Sequence, residues 1–216
     1  SSPRRSRAWR IGRALPAGSP YPAVFRFAGA TAFAGYALAL WQDSVWFGRG
    51  IVDTAIVGHL GRPQLAALGI AFTLLGGLFA IFNFLQYGTT AQVARAGGAG
   101  EEETARRLGA QAVWLSLAFG ITVSVLLAVL AEPLVSLMGG EGETADEAVT
   151  YLRIAAVGFP AAFLALGGQG YLRGVADLRT PLVILIAGNV ANVVLEVLFV
   201  YGFGWGIEGS AWGTAI

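Results

Sequence analysis

Long apolar runs, separated by short polar breaks rich in glycine, proline and arginine, set the rhythm of this chain. Runs of about 20 residues without alternation read as helices that cross a bilayer, whose hydrocarbon core is about 30 Å thick. On this reading the spans fall at residues 36–58, 65–94, 108–131, 149–172 and 182–203, with a sixth starting near 210 and cut short at 216. The first run is long, and Arg26, Gln42, Asp43 and Arg49 interrupt it, so only its later part is expected to cross. The second run turns polar in its latter half, with Asn83, Gln86, Tyr87, Thr89, Thr90 and Gln92. Such groups are buried against protein or a wet cavity when they lie at membrane depth. Gly76-Gly77 in that run offers a place for another helix to approach. The third span is expected to stop at Glu132-Pro133, and Pro160 to bend the fourth. Between the spans the pattern predicts a turn at Gly61-Arg62-Pro63, a charged glycine-rich loop over 95–107, an acidic loop from Glu141 to Glu147, and a turn over Gly204–Gly209. The fold class expected is therefore all-α and polytopic, a transmembrane bundle over residues 23–216 preceded by a basic, disordered tail over 1–22.

Composition supports the membrane reading and removes several chemistries. Of 216 residues, 56% are hydrophobic and only 12% are charged, where a soluble domain is nearer a quarter charged. A net charge of +1 gives no argument for a nucleic-acid partner. Without cysteine there is no disulfide, thiolate metal site or cysteine nucleophile. The lone histidine, His59, does not make a histidine metal cluster or a serine–histidine–aspartate triad, and no paired-aspartate motif is present. No enzyme, metal site or cofactor is expected.

All basic residues are arginines, and they are distributed unevenly. The tail and alternate loops carry Arg4, Arg5, Arg7, Arg10, Arg13, Arg95, Arg106, Arg107, Arg173 and Arg179, against Arg62 and Arg153 on the other side. The positive-inside rule places the N-terminus in the cytoplasm of a multi-pass protein of the cell membrane, with the lipid bilayer as its first partner.

Against this apolar background a few polar groups stand out. Asp53 lies in Ile51-Val52-Asp53-Thr54-Ala55-Ile56-Val57-Gly58, near the outer end of the first span. An acid inside a bilayer costs about 2.5–3.5 kcal/mol on insertion scales and normally has a partner or a task. Asn189, Asn192 and Glu196 are spaced i, i+3, i+7 and share one helix face in the fifth span. Counting about 1.5 Å per residue, Asp53, Glu196 and Thr214 fall roughly 7–11 Å inside the outer boundary, with Tyr151 close to that end. Two carboxylates facing one cavity repel each other when both are ionised, and a proton or a bound cation relieves that repulsion. The competing reading for Asp53 is an ion pair with Arg49, four residues earlier on the same face.

Several of these stretches resemble the multidrug and toxic compound extrusion (MATE) family, most closely its DinF-type branch. The resemblance rests on Val52-Asp53-Thr54-Ala55-Ile56-Val57-Gly58-His59-Leu60-Gly61 with Leu65-Ala66-Ala67-Leu68-Gly69. It rests also on Tyr171-Leu172-Arg173-Gly174-Val175-Ala176-Asp177-Leu178-Arg179-Thr180-Pro181, on Asn189 to Glu196, and on Gly206 to Thr214. It implies a twelve-helix transporter of two six-helix bundles, of which this chain supplies the N-terminal one and lacks the C-terminal lobe. It implies an antiporter that exports drug-like or toxic, often cationic, organic compounds in exchange for H⁺ or Na⁺. By matching position it implies a coupling site of Asp53, Asn192, Glu196, Thr214 and Tyr151, and a substrate cavity near Gln169, Asn189 and Arg49. Where relatives carry Asp on the fifth helix this chain has Glu196, the same charge on a longer arm. Within transport, the alternative is a lipid-linked sugar flippase of related architecture, although a pyrophosphate wants a strongly basic cavity and Arg49 stands alone. A truncated remnant without transport is the other alternative.

Overall fold

The structure is a computed structural model, and it describes Gly50 and residues 52–216. The expected tail, the first part of the first span and Arg49 lie outside the described residues. The described chain is a helical bundle in which no strand occurs. Helix α1 is described over residues 52–58. It is followed by α2 (Arg62–Phe82), α3 (Phe84–Gly98), α4 (Glu102–Leu137), α5 (Gly142–Gly174), α6 (Arg179–Val197) and α7 (Gly206–Ala215). A π-helical turn, Leu198–Gly202, extends α6. Among the described residues, four helical stretches are long and apolar enough to cross a membrane: Arg62–Gly98, Glu102–Leu137, Gly142–Gly174 and Arg179–Gly202.

The helices run longer than the hydropathy pattern predicts, and the connections are correspondingly short. The charged stretch expected as a loop over 95–107 is mostly helix, because α3 ends at Gly98 and α4 starts at Glu102. The acidic loop is instead the first turns of α5, where Glu143 lies in the favourable field of a helix N-terminus. The turn at Gly61-Arg62-Pro63 is shorter too: α2 begins at Arg62, with Pro63 in its first turn, where a missing N–H costs nothing. The turn over Gly204–Gly209 gives way to helix at Gly206. Pro133 does not end α4, which continues to Leu137. Val135, beyond the proline, is buried in the core at 1% exposure, so packing holds the helix past the missing donor. The second span breaks at Asn83 into α2 and α3. No described atom lies within 4 Å of a Cβ built on Gly76 or Gly77, so the close approach expected there is absent among the described residues.

The core forms around the antiparallel pair α4 and α5. Gly109 lies against Tyr171, Ser116 against Gly167, Gly120 against Pro160, and Ser124 against Ala156, so small residues on each helix admit the other at every level. Helix α3 runs parallel to α5, with Gly170 against Gln86 and Gly174 against Val93. Aromatic rings fill the centre: Phe79 stacks on Phe159 at 5.3 Å, and Phe82 meets Phe163 edge-on at 5.0 Å. The outer faces stay apolar. Trp114, Ile121, Val125 and Val129 make an exposed stripe on α4, and Val183, Val190, Val194 and Val197 one on α6, as surfaces in contact with lipid should be.

The two ends of the bundle differ in charge. Val93, Ala96 and Ala105 pack with Tyr171 and Val175, which brings the α3–α4 and α5–α6 connections to one end, where Arg95, Arg106, Arg107, Arg173 and Arg179 outnumber the acids Glu101, Glu102, Glu103 and Asp177. The other end carries Glu132, Glu141, Glu143, Asp146, Glu147 and Glu208. There Arg153 pairs with Glu132 at 2.8 Å, and Gln64 donates to Glu147 at 3.1 Å.

Candidate functional site

Six polar side chains are buried to below 9% exposure among the described residues: Asp53, Gln86, Ser116, Asn192, Glu196 and Ser210. Three of them, Asn192, Glu196 and Ser210, lie on the seam between α6 and α7. Asn192 and Glu196 are one turn apart on α6 and face α7, while the valines between them are half-buried or exposed. Asn192 Nδ2 donates to the Gly213 carbonyl at 2.7 Å, and Ser210 Oγ donates to Glu196 Oε1 at 2.5 Å. Two glycines allow this proximity: a Cβ on Gly213 would stand 3.1 Å from the Glu196 backbone, and one on Gly209 would stand 2.8 Å from the Phe199 carbonyl carbon. Asn192 Oδ1 is buried and accepts no hydrogen bond among the described residues.

Helix α5 closes the second side. Tyr151 is fully buried, with Phe72 of α2 edge-on at 6.3 Å, and its hydroxyl donates to Thr214 Oγ1 at 3.3 Å. Thr214 is one turn beyond Ser210 on α7, so both hydroxyls lie on one α7 face. Gly158 brings the backbones of α5 and α7 together, since a Cβ there would stand 2.6 Å from the Ala215 carbonyl oxygen.

Helix α1 lies beside the end of α6. Asp53, Ile56 and Val57 form its buried face at 1%, 8% and 0% exposure. The Tyr201 hydroxyl, from the π-helical turn, donates to the Ile56 carbonyl at 3.3 Å and ties α1 to α6. Asp53 lies three residues before Ile56 and Glu196 five before Tyr201, roughly 4.5 and 7.5 Å of helical rise. The two carboxylates therefore stand within about one turn of each other in depth. The π-helical turn starts two residues after Glu196, with the Phe203 N–H reaching Leu198 O at 2.9 Å. Widened turns of this kind recur beside functional groups in helices.

The structure thus places Asp53, Tyr151, Asn192, Glu196 and Thr214 on four helices at one end of the bundle, and joins Tyr151 to Thr214 directly. The remaining predicted residues sit elsewhere. Asn189 is half-buried, and its Nδ2 donates to Leu185 O of its own helix at 2.7 Å. Gln169 lies between α3 and α5 and accepts from Gln86 Nε2 at 2.9 Å. Ser210 and Tyr201 belong to the arrangement and were not singled out from sequence. The available signal for Ser210 is its i, i+4 spacing to Thr214; for Tyr201 a side chain bonding to another helix's backbone leaves no pattern.

The polar side chains at this end, Glu196, Asn192, Ser210, Thr214 and Tyr151 with Asp53 at similar depth on α1, offer hard oxygens only. That chemistry suits a proton or a small hard cation, and the free Asn192 oxygen adds a ligand to it. Among the described residues there is no group of three or more His, Cys, Asp and Glu side chains disposed to hold a metal ion.

These features define a polytopic helical membrane protein with a polar site sealed between helices near one face. The MatE family profile matches residues 44–198, and the chain belongs to that family. It is 32% identical over 168 residues to the DNA damage-inducible protein F of Escherichia coli (strain K12), a match over 77% of this chain and 37% of that protein. It is 32% identical over 169 residues to the multidrug resistance protein PmpM of Pseudomonas aeruginosa, over 76% of this chain and 35% of that protein. An outward-facing multidrug resistance MATE family transporter superposes with a TM-score of 0.76 at 30% identity, covering 81% of this chain and 39% of the other. The chain therefore spans somewhat more than a third of the length of these relatives and corresponds to their N-terminal lobe.

Proposed function

We propose that this chain is the N-terminal lobe of a secondary active antiporter, exporting drug-like, often cationic, organic compounds in exchange for H⁺ or Na⁺. The observation that carries this reading is the burial of two carboxylates, Asp53 at 1% and Glu196 at 0% exposure, at similar depth in helices that are otherwise apolar. Taking charge into such a place is costly, and intramembrane acids mark ion and proton pathways. Asn192, Thr214, Tyr151 and Ser210 supply the surrounding oxygens. Uptake of the coupling ion between the acids relieves their repulsion, and its loss restores it. Either change biases how α1 sits against α6 and α7, which is how an ion gradient would drive a change of access.

In this reading the arginine-rich end faces the cytoplasm and the site lies toward the outer face of the cell membrane. Gln64, Glu147, Trp205 and Glu208 line an open cavity of about 300 Å³ at that outer end, acidic and aromatic in character, which suits cationic cargo. The C-terminal lobe of the whole transporter supplies the other wall of the substrate path.

The test is export of a fluorescent organic cation from cells carrying the whole transporter, with the proton and sodium gradients collapsed separately. Asp53→Asn and Glu196→Gln should each remove gradient-driven export while the protein still reaches the membrane. Undiminished, still gradient-dependent export in both variants overturns the coupling role. Whichever gradient supports export identifies the ion.

A further inference from the structure

Pro160 stands in the middle of α5, where it has no N–H to give to the carbonyl four residues earlier, that of Ala156. In a membrane a carbonyl freed in this way needs a donor from elsewhere. The structure supplies one from the neighbouring helix: Ser124 Oγ of α4 donates to the Ala156 carbonyl at 2.6 Å. The pairing is held in register by Gly120, one turn earlier on α4, whose missing Cβ would stand 2.8 Å from Pro160 Cα. Prolines in helices are places where the two halves change angle. The half before Pro160 carries Tyr151, bonded to Thr214, and Gly158, pressed against Ala215. Any change of angle at Pro160 therefore moves Tyr151 relative to α7.

We propose that Ser124 is a positioning residue: its hydroxyl stands in for the donor Pro160 lacks, latches the α5 hinge to α4, and so sets where Tyr151 meets Thr214. Its link to coupling rests on the antiporter reading above; the latch itself does not. With the bond made, the α5 half bearing Tyr151 is fixed to α4. With it broken, that half is free to tilt about Pro160, and the α5 side of the polar site opens.

This stretch holds no cysteine of its own, so a whole transporter cleared of any other cysteine takes labels only where they are introduced. Spin labels at Asp146 and Ala165, both exposed and on opposite sides of Pro160, lie about 28 Å apart along the helix. In the whole transporter, Ser124→Ala should shift or broaden the distance between them. It should also raise the coupling-ion concentration for half-maximal export by about three- to ten-fold, the equivalent of one interhelical hydrogen bond in a membrane, with little change in maximal rate. Ser124→Thr, which keeps the hydroxyl, should restore both. Pro160→Ala returns an N–H to Ala156 and should make Ser124→Ala silent. An unchanged distance in Ser124→Ala overturns the latch, as does an equal effect of Ser124→Ala with and without Pro160. If the distances behave as stated but Asp53→Asn leaves export coupled as before, the latch stands and the coupling reading fails.

Discussion

Ser210 Oγ donates to Glu196 Oε1 across the α6–α7 seam, and both residues are completely buried. The contact links α7 to a carboxylate whose longer arm, relative to the Asp expected from the family resemblance, reaches a residue one turn from Thr214. A hydrogen bond from a buried hydroxyl to a carboxylate contributes about 1–2 kcal/mol in a membrane setting. Ser210→Ala should lower the stability of the detergent-solubilised protein by that amount. Glu196→Asp shortens the arm and should make the second substitution nearly silent. A double-mutant cycle by thermal unfolding reads the coupling, and strict additivity would show that the bond contributes nothing.

The same seam makes a sharp prediction about glycines. At Gly213 an added Cβ meets Glu196 Cα, Cβ and N, all at 3.1 Å, and α6 backbone has little room to yield. Gly213→Ala should destabilise by about 1–3 kcal/mol, the range for overpacking a tight contact. Gly76→Ala, with no described atom within 4 Å, should be neutral or stabilising by up to about 1 kcal/mol through helix propensity. Equal thermal shifts for the two variants would count against the packing described for α6 and α7.

Much of this arrangement was legible because membrane helices leave so few polar residues to interpret. Asn192 and Glu196 declare a shared face by spacing alone, and the structure turns that face to α7. Depth arithmetic put Tyr151 and Thr214 near one level, and they touch. Asn189 shows the limit of spacing: it sits one turn before Asn192 yet satisfies its amide on Leu185 of its own helix. Ser210 was hidden because its glycine-rich surroundings read as a turn, whereas Gly209 is there to let α7 meet Phe199 and Val200. The π-helical turn after Glu196 is a backbone event with no residue signature. Pro133 misled because local propensity yields to the burial of Val135.

Three helices end in the same way, and one carries the wrong residue for it. Glu101 N–H bonds Ala96 O and Gly100 N–H bonds Gly97 O; Gly140 and Gly139 repeat the pattern on Val135 and Ser136; Asp177 and Ala176 repeat it on Leu172 and Arg173. Each motif needs a left-handed residue at its corner, with φ of +78° at Gly100, +80° at Gly139 and +60° at Ala176. A side chain in that conformation costs about 1–2 kcal/mol. Ala176→Gly should therefore stabilise the protein by roughly 1 kcal/mol, part of the gain being returned through the freer unfolded chain. A lower unfolding temperature for Ala176→Gly would contradict the motif.

Next to that corner, Asp177 starts α6. Its Oδ2 accepts the Thr180 hydroxyl at 2.6 Å, and its Oδ1 accepts the Thr180 and Arg179 backbone N–H groups, both at 3.1 Å. The hydroxyl bond first, and then the backbone bonds, favour the ionised carboxylate and hold it below the usual aspartate value of 3.8. Because the folded value is the lower one, the stabilisation is complete above the unfolded value and disappears as pH falls through the folded one. At neutral pH, Asp177→Ala should speed hydrogen exchange of the Arg179 and Thr180 amides by roughly five-fold, the size of a lost helix cap. The ratio of variant to parent should shrink toward one only as the pH falls below 3.8 and on through the lower folded value, where the parent carboxyl takes up its proton. A ratio that stays constant through that range would mean that the charge of Asp177 plays no part in starting the helix.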